Sequence, residues 1–204
     1  MNMRNPTSPL REGFDYQDLW GLYLCCEWLQ QPQKYQWLRF ETKPDDTVTG
    51  PYFLDDIVLC DSNGSYSVYQ IKHKHKAERD KWSWDDLLKQ EKGSTGKLKS
   101  SLIAKWYQSY FNKDLLGKIQ FAAFITNGSA DDGLKKHLVS DIINIKQTKS
   151  EEPTIYSELI NQLGDENKVE QFFGEFHFLF DQTFVCTPGV YDTRIRKNWV
   201  TLSH

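Results

Sequence analysis

The chain has 204 residues, 39% hydrophobic and 14% aromatic, with a formal net charge of −3, about one domain on a prior of ~100–200 residues per domain. That composition fills a packed core, which excludes a disordered or low-complexity polymer. No apolar run approaches the ~18 residues a membrane span needs, and the N-terminal stretch MNMRNPTSPLREGF has no apolar h-region, which argues against a secretory signal.

In chain order, the first predicted helix runs from Asp15 to Gln30. Tyr16, Leu19, Trp20, Tyr23, Leu24, Trp28 and Leu29 form its apolar stripe, Asp15 is placed to cap it and Pro32 stops it. Trp37–Glu41 reads as a short strand, followed by a turn-rich stretch from Pro44 to Gly50. Tyr52–Cys60 and Tyr66–His73 are apolar runs separated by Asp61-Ser62-Asn63-Gly64-Ser65. Asn-Gly between such runs signals an antiparallel hairpin. Helices are expected over Trp84–Gln90 and Gly96–Phe111, the second with Leu98, Leu102, Ile103, Trp106 and Tyr110 on one face. Ile119–Thr126 is nearly all apolar, as a strand covered on both faces would be. Leu134–Ile145, Thr154–Leu163 and Val169–Phe173 read as helices, and Phe176–Val185 as a last strand. This order describes an α/β domain with one mixed central sheet flanked by helices, with no internal repeat and no linker long enough to divide it.

Charge is unevenly placed. Between Gln70 and Lys118 stand 12 Lys/Arg against 6 Asp/Glu, leaving 13 against 22 in the rest of the chain. Such a segment is either a solvated lysine-rich surface or a basic face that docks on phosphates under an acidic overall balance. Cys25, Cys26, Cys60 and Cys186 lie in or beside apolar runs without CxxC spacing. They read as buried free thiols in a reducing cytoplasm.

The hairpin carries the chemistry. Phe53-Leu54-Asp55-Asp56-Ile57-Val58-Leu59 places acids inside an apolar strand, and the partner strand ends in Gln70-Ile71-Lys72-His73. Alternation sends Gln70 and Lys72 to one face and Ile71 to the other. Asp56 precedes Gln70 by 14 residues across a tight turn, so it can come level with the Gln70–Lys72 edge. Charged groups inside apolar strands lose several kcal/mol of solvation unless paired or bound to a metal. Mg2+ prefers hard oxygen ligands, and a nearby lysine can orient its water or stabilise developing charge. The alternative is purely structural: an Asp56–Lys72 cross-strand salt bridge, with Asp55 as a turn residue.

The order of acid in an apolar strand, hairpin, then Gln-x-Lys resembles the PD-(D/E)xK nuclease superfamily, in the Mrr-like variant with glutamine in place of the second acid. Arg11-Glu12-Gly13-Phe14-Asp15-Tyr16-Gln17, the Asp55-Asp56-Ile57-Val58 strand, the Gln70-Ile71-Lys72-His73 strand and Phe124-Ile125-Thr126-Asn127 resemble the double-stranded-DNA endonuclease domain of bacterial anti-phage effectors. In those proteins the nuclease precedes a sensor, such as the SAVED domain of CBASS systems or the NTPase module of Avs-type proteins. The resemblance covers about residues 11–185 of a single domain spanning 1–204. It implies a restriction-endonuclease-like fold, Mg2+ (or Mn2+) as cofactor, double-stranded DNA as substrate and at least a dimer as the form that cuts both strands. It implies a bacterial cytoplasmic setting and a sensor outside this chain, excised or carried by a separate protein.

Position by position, the resemblance makes Asp56 the main metal ligand with Asp55 as competitor, since a one-residue register shift swaps their faces. Gln70 offers its amide oxygen and Lys72 is the catalytic lysine. Gln17 stands where related enzymes carry a helix Glu, and Glu41 completes the carboxylate set or is a surface acid. Lys74, Lys76, Arg79 and Lys81 follow the catalytic strand, where DNA phosphates would pass. Lys92, Lys97 and Lys99 flank Gly93-Ser94-Thr95-Gly96 at an expected helix start, without Walker spacing. His73 and His75 have zinc-compatible spacing but no third soft ligand near in sequence. Trp82, Trp84 and Trp106 read as core, and Cys25-Cys26 as packing. The readings to separate are an endonuclease, a catalytically silent domain of the same fold that binds DNA or a partner, and an unrelated α/β protein.

Overall fold

A computed structural model describes residues 9–77 and 79–184. The first helix, α1 (Pro9–Gln30), begins ahead of the expected start, so Asp15 lies inside it rather than at its cap. Tyr16, Trp20 and Leu24, spaced by four, form its buried stripe, whereas Leu19 and Leu29 face outward. Gly21 stands inside the helix for a packing reason: a Cβ there would lie 2.2 Å from the Phe40 ring.

Strands β1 (Tyr35–Phe40), β2 (Ile57–Asp61) and β3 (Tyr66–Lys72) form an antiparallel meander, with Ile57 opposite Tyr69. The hairpin turn contains Gly64 at φ 81°, and the Asp61 carboxylate accepts the Asn63 and Ser65 N–H groups at 2.8 Å. Tyr52–Asp56 is not part of the strand, so the acid pair stands just before β2 instead of in its middle. Helices α2 (Trp84–Leu88) and α3 (Leu102–Tyr110) lead to β4 (Ile119–Thr126), which runs parallel to β3. The segment expected to open α3 instead turns back at Gly96 (φ 77°), bridging Lys92 to Leu98. Ser101 caps α3 by accepting the Ala104 N–H, leaving Leu98 60% exposed and off the helical face.

The single helix expected over 134–145 is broken. It becomes α4 (Asp132–Lys135), a hairpin of β5 (Leu138–Val139) and β6 (Ile142–Ile143), and α5 (Ile145–Glu151). Ser140 and Asp141, both at positive φ, make the bend. α6 (Pro153–Leu163) and α7 (Glu166–Glu175) precede β7 (Phe176–Leu179), which is shorter than its apolar pattern suggested. The main sheet has five strands in the order β1-β2-β3-β4-β7 and is mixed, as expected of a restriction-endonuclease-like α/β fold.

Alternation divides the core between two faces. Ile57, Leu59, Tyr69, Ile71, Ala123 and Ile125 pack under α1. Val58, Val68, Ala122, Phe124, Phe176 and Phe178 pack against Trp106 of α3 and the other helices. Trp106 stacks between Phe124 (4.7 Å) and Phe176 (5.7 Å), and Trp82, Trp84 and Trp106 are all core as read from the sequence. Trp106→Ala should cost about 3–5 kcal/mol of stability, visible as a lower denaturant midpoint with an unchanged m value. Cys60 is buried, Cys25 half-buried and Cys26 exposed, so the four thiols are not uniformly core, and Cys186 lies outside the described residues. Among the described residues no helix is long and apolar enough to cross a membrane.

Candidate active site

The hairpin register sets the site. With Ile57 opposite Tyr69, the next step outward brings Asp56 level with Gln70. Asp56 Oδ2 accepts the Ile71 N–H at 2.6 Å and a hydrogen bond from Gln70 Nε2. Both residues are nearly closed to solvent, Asp56 at 8% and Gln70 at 5% exposure. Lys72, one alternation further along β3, is half-buried at the strand end.

The segment holding Asp56 is fixed from several directions. Phe53 N–H donates to Ser109 Oγ at 2.7 Å. Beyond the β1–β2 ladder, Thr42 N–H donates to the Asp55 carbonyl (3.1 Å) and Glu41 N–H to the Asp56 carbonyl (3.2 Å). Glu41 has a left-handed backbone, φ 47°, an uncommon conformation for a residue with a side chain. From α1, Gln17 Nε2 donates to Glu41 Oε1 at 2.7 Å and to the Asp56 carbonyl at 3.3 Å. The chain thus brings Gln17, Glu41, Asp55, Asp56, Gln70 and Lys72 to one end of the sheet, and it is Asp56, rather than Asp55, that meets Gln70.

Electrostatics at this edge run against the acids. Burial pushes the Asp56 carboxyl up to about 6, eased by the Ile71 N–H and Lys72 and aggravated by Glu41 and Asp55. Burial likewise raises Asp55, with Glu41 adding to the rise and Lys72 opposing it. Lys72 acts on both acids through space, yet it forms no ion pair with either among the described residues. The structural salt bridge considered from sequence is therefore not formed.

Among the described residues no cluster of three or more His, Cys, Asp or Glu is close enough to make a ready metal cage. The donor chemistry nonetheless fits a largely hydrated divalent ion, which needs only one or two carboxylates beside its waters. Both hydrogen bonds to Asp56 fall on Oδ2, so Oδ1 has no partner among the described residues. Burial raises the pKa of both Asp55 and Asp56, with Glu41 adding to each rise and Lys72 opposing it.

The remaining expected residues divide. Lys76 is exposed on the turn after β3, and Lys97 and Lys99 are exposed on the 91–99 turn rather than at a helix start. Lys74 is held internally: its ammonium donates to Asp86 Oδ2 (3.2 Å) and the Lys81 carbonyl (3.0 Å). His73 packs on Tyr16 (5.4 Å) and His75 pairs with Glu12, so the histidines have other partners. A groove of about 690 Å3 between α2 and α6 contains none of the expected site residues, and a hollow of about 290 Å3 borders His73. Sequence reasoning missed the Ile71 amide, since a backbone donor leaves no mark in residue identity.

A family model described as the Cap4 dsDNA endonuclease domain matches residues 9–187. No curated protein and no solved structure matches the chain.

Proposed function

The chain belongs to the family of the Cap4 dsDNA endonuclease domain, and on that premise we propose that it hydrolyses double-stranded DNA at the Asp56–Gln70–Lys72 edge with Mg2+, as an effector of anti-phage defence. The observation that carries the site assignment is the meeting of Asp56 and Gln70 across the hairpin, with an unpaired lysine beside them. Asp56 through Oδ1 and Gln70 through its amide oxygen would hold the ion, with Glu41 and Asp55 at the same end of the sheet as further acids for its waters. When bound, Mg2+ polarises the phosphate and lowers the pKa of a coordinated water.

The chain's own residues supply the rest. The Ile71 N–H fixes the Asp56 carboxylate plane through Oδ2. Lys72 places its ammonium where negative charge gathers on the phosphate oxygens, a contribution that survives because no carboxylate neutralises it at contact distance. Gln17 holds Glu41 and the Asp56 carbonyl in one frame. Exposed Lys76, Arg79, Lys97 and Lys99 offer phosphate contacts along the approach. One such edge cuts one strand, so severing both calls for two copies. The resemblance further supports control by a sensor outside this sequence and action in the bacterial cytoplasm.

A plasmid assay tests the reading. Supercoiled DNA should be nicked and linearised with Mg2+ or Mn2+, and EDTA should abolish the reaction. Cleavage that persists in EDTA would remove the ion from the mechanism, and a wild-type chain held as an induced dimer that binds DNA without cutting it under any divalent ion would favour the silent-domain alternative.

A further inference from the structure

Lys72 has no hydrogen bond or ion pair among the described residues to hold its ammonium. A flexible side chain carrying ~2 kcal/mol of rotamer entropy and lacking a partner can be aimed only through its backbone. β3 ends at Lys72, whose ladder partner on β4 is Thr126. Asn127, the residue just past the end of β4, then continues the sheet with its side chain. Asn127 Oδ1 accepts the Lys74 N–H at 2.7 Å, and Asn127 Nδ2 donates to the Lys74 carbonyl at 2.9 Å. Both backbone groups of one residue are thereby satisfied by one amide, an extra rung beyond the strand end.

The Lys74 side chain is locked as well. Its ammonium lies 4.3 Å from the centroid of the Trp82 ring, besides its bonds to Asp86 and the Lys81 carbonyl. Trp82 is pinned in turn, with Nε1 donating to Thr126 Oγ1 at 3.0 Å and its N–H donating to the Ser129 carbonyl at 2.8 Å. Gly128 leaves room for this: a Cβ there would be 3.0 Å from two indole atoms and 3.3 Å from Lys74 Cγ. The stretch between Lys74 and Trp82, with exposed Lys76, Arg79 and Lys81, is therefore tied at its base beside the reactive edge.

We propose that Asn127 is a positioning residue: by clamping the Lys74 backbone onto the end of β4 it sets the direction in which Lys72 presents its ammonium. Lys74, read from the sequence as a phosphate contact, serves as the anchored half of this clamp. The inference rests on the catalytic reading of Lys72, and its test keeps the two apart.

Asn127→Ala should expose the Lys74 amide to faster hydrogen exchange and lower kcat by about tenfold, with KM within about twofold, because small misplacements of a catalytic group cost rate rather than affinity. Gly128→Ala, which presses on Trp82 and Lys74 from the other side, should give the same kcat-only loss. If Asn127→Ala does not fold, Lys74→Met, which keeps the stem over Trp82 and loses the ammonium bonds, takes its place with a smaller loss in kcat. Faster exchange with unchanged kcat would make the clamp merely structural and overturn the proposal. A raised KM with unchanged kcat would overturn it in favour of a DNA-contact role. A wild-type protein that does not cleave even when held as an induced dimer would instead end the catalytic reading itself, an outcome the wild-type control reveals before any variant is compared.

Discussion

Lys72→Ala is expected to reduce plasmid cleavage by about 10²–10³-fold, the scale of removing one charge-stabilising donor from a reacting site, while leaving the fold in place. The reason lies in what Lys72 does not do. It is half-buried, it holds no carboxylate in an ion pair, and its truncation leaves no donor or acceptor orphaned. Stability should therefore change little, apart from a further rise in the proton affinity of Asp56 and Asp55, which Lys72 now lowers. Lys72→Arg should not restore the rate, because a planar guanidinium cannot occupy the place of a compact ammonium. The measurement is the rate of supercoiled plasmid loss, with the thermal midpoint as control. Equal cleavage by wild type and Lys72→Ala would assign the chemistry elsewhere, whereas lost cleavage together with a large drop in midpoint would give Lys72 a structural role.

How much of this site could be read from residue order follows from the range of each interaction. The hairpin was legible because Asn63-Gly64 and strict alternation are local signals, and together they fix which side chains share a face. That was enough to bring Asp56 level with Gln70. The apolar stripe of α1 was legible for the same reason, although Leu19 and Leu29 belong to its outer side, since periodicity over one helix cannot tell how wide the covering sheet is. Errors fall where short apolar runs had no tertiary arbiter. Leu98 has helical spacing with Trp106, but Gly96 and the Ser101 cap start the helix later. The 134–145 segment has helical apolar spacing, yet Ser140 and Asp141 bend it into a hairpin. The clamp on Lys74 depends on Trp82, Asp86 and Asn127, whose meeting point exists only once β3 and β4 are paired. Its lysine consequently read as a phosphate contact in a basic stretch.

Asp56→Asn should make the protein more stable and nearly inactive. The native carboxyl takes up its proton near pH 6, whereas an unfolded aspartate does so near ~3.9. Between these values the folded state holds the extra proton, so stability falls as pH rises through the window, and the full deficit persists above it. An asparagine never ionises and can still accept the Ile71 N–H, so the variant should exceed wild type by about 1–3 kcal/mol at pH 8, at ~1.36 kcal/mol per unit of pKa difference. The advantage should vanish below about pH 4, where both states of the wild type are protonated. Mg2+ supplies the second arm: an ion that binds only the folded state raises its stability by mass action, so it should lift the wild-type midpoint and leave Asp56→Asn unmoved. Denaturant titrations at both pH values, with and without Mg2+, read all of this without reference to cleavage. A variant less stable than wild type at pH 8 would mean that the buried acid is compensated by its neighbours, and an equal Mg2+ response in both proteins would place the ion away from Asp56. The expected pattern, stability gained where the reaction is lost, is what a carboxylate kept in an unfavourable place for the sake of a cation should produce.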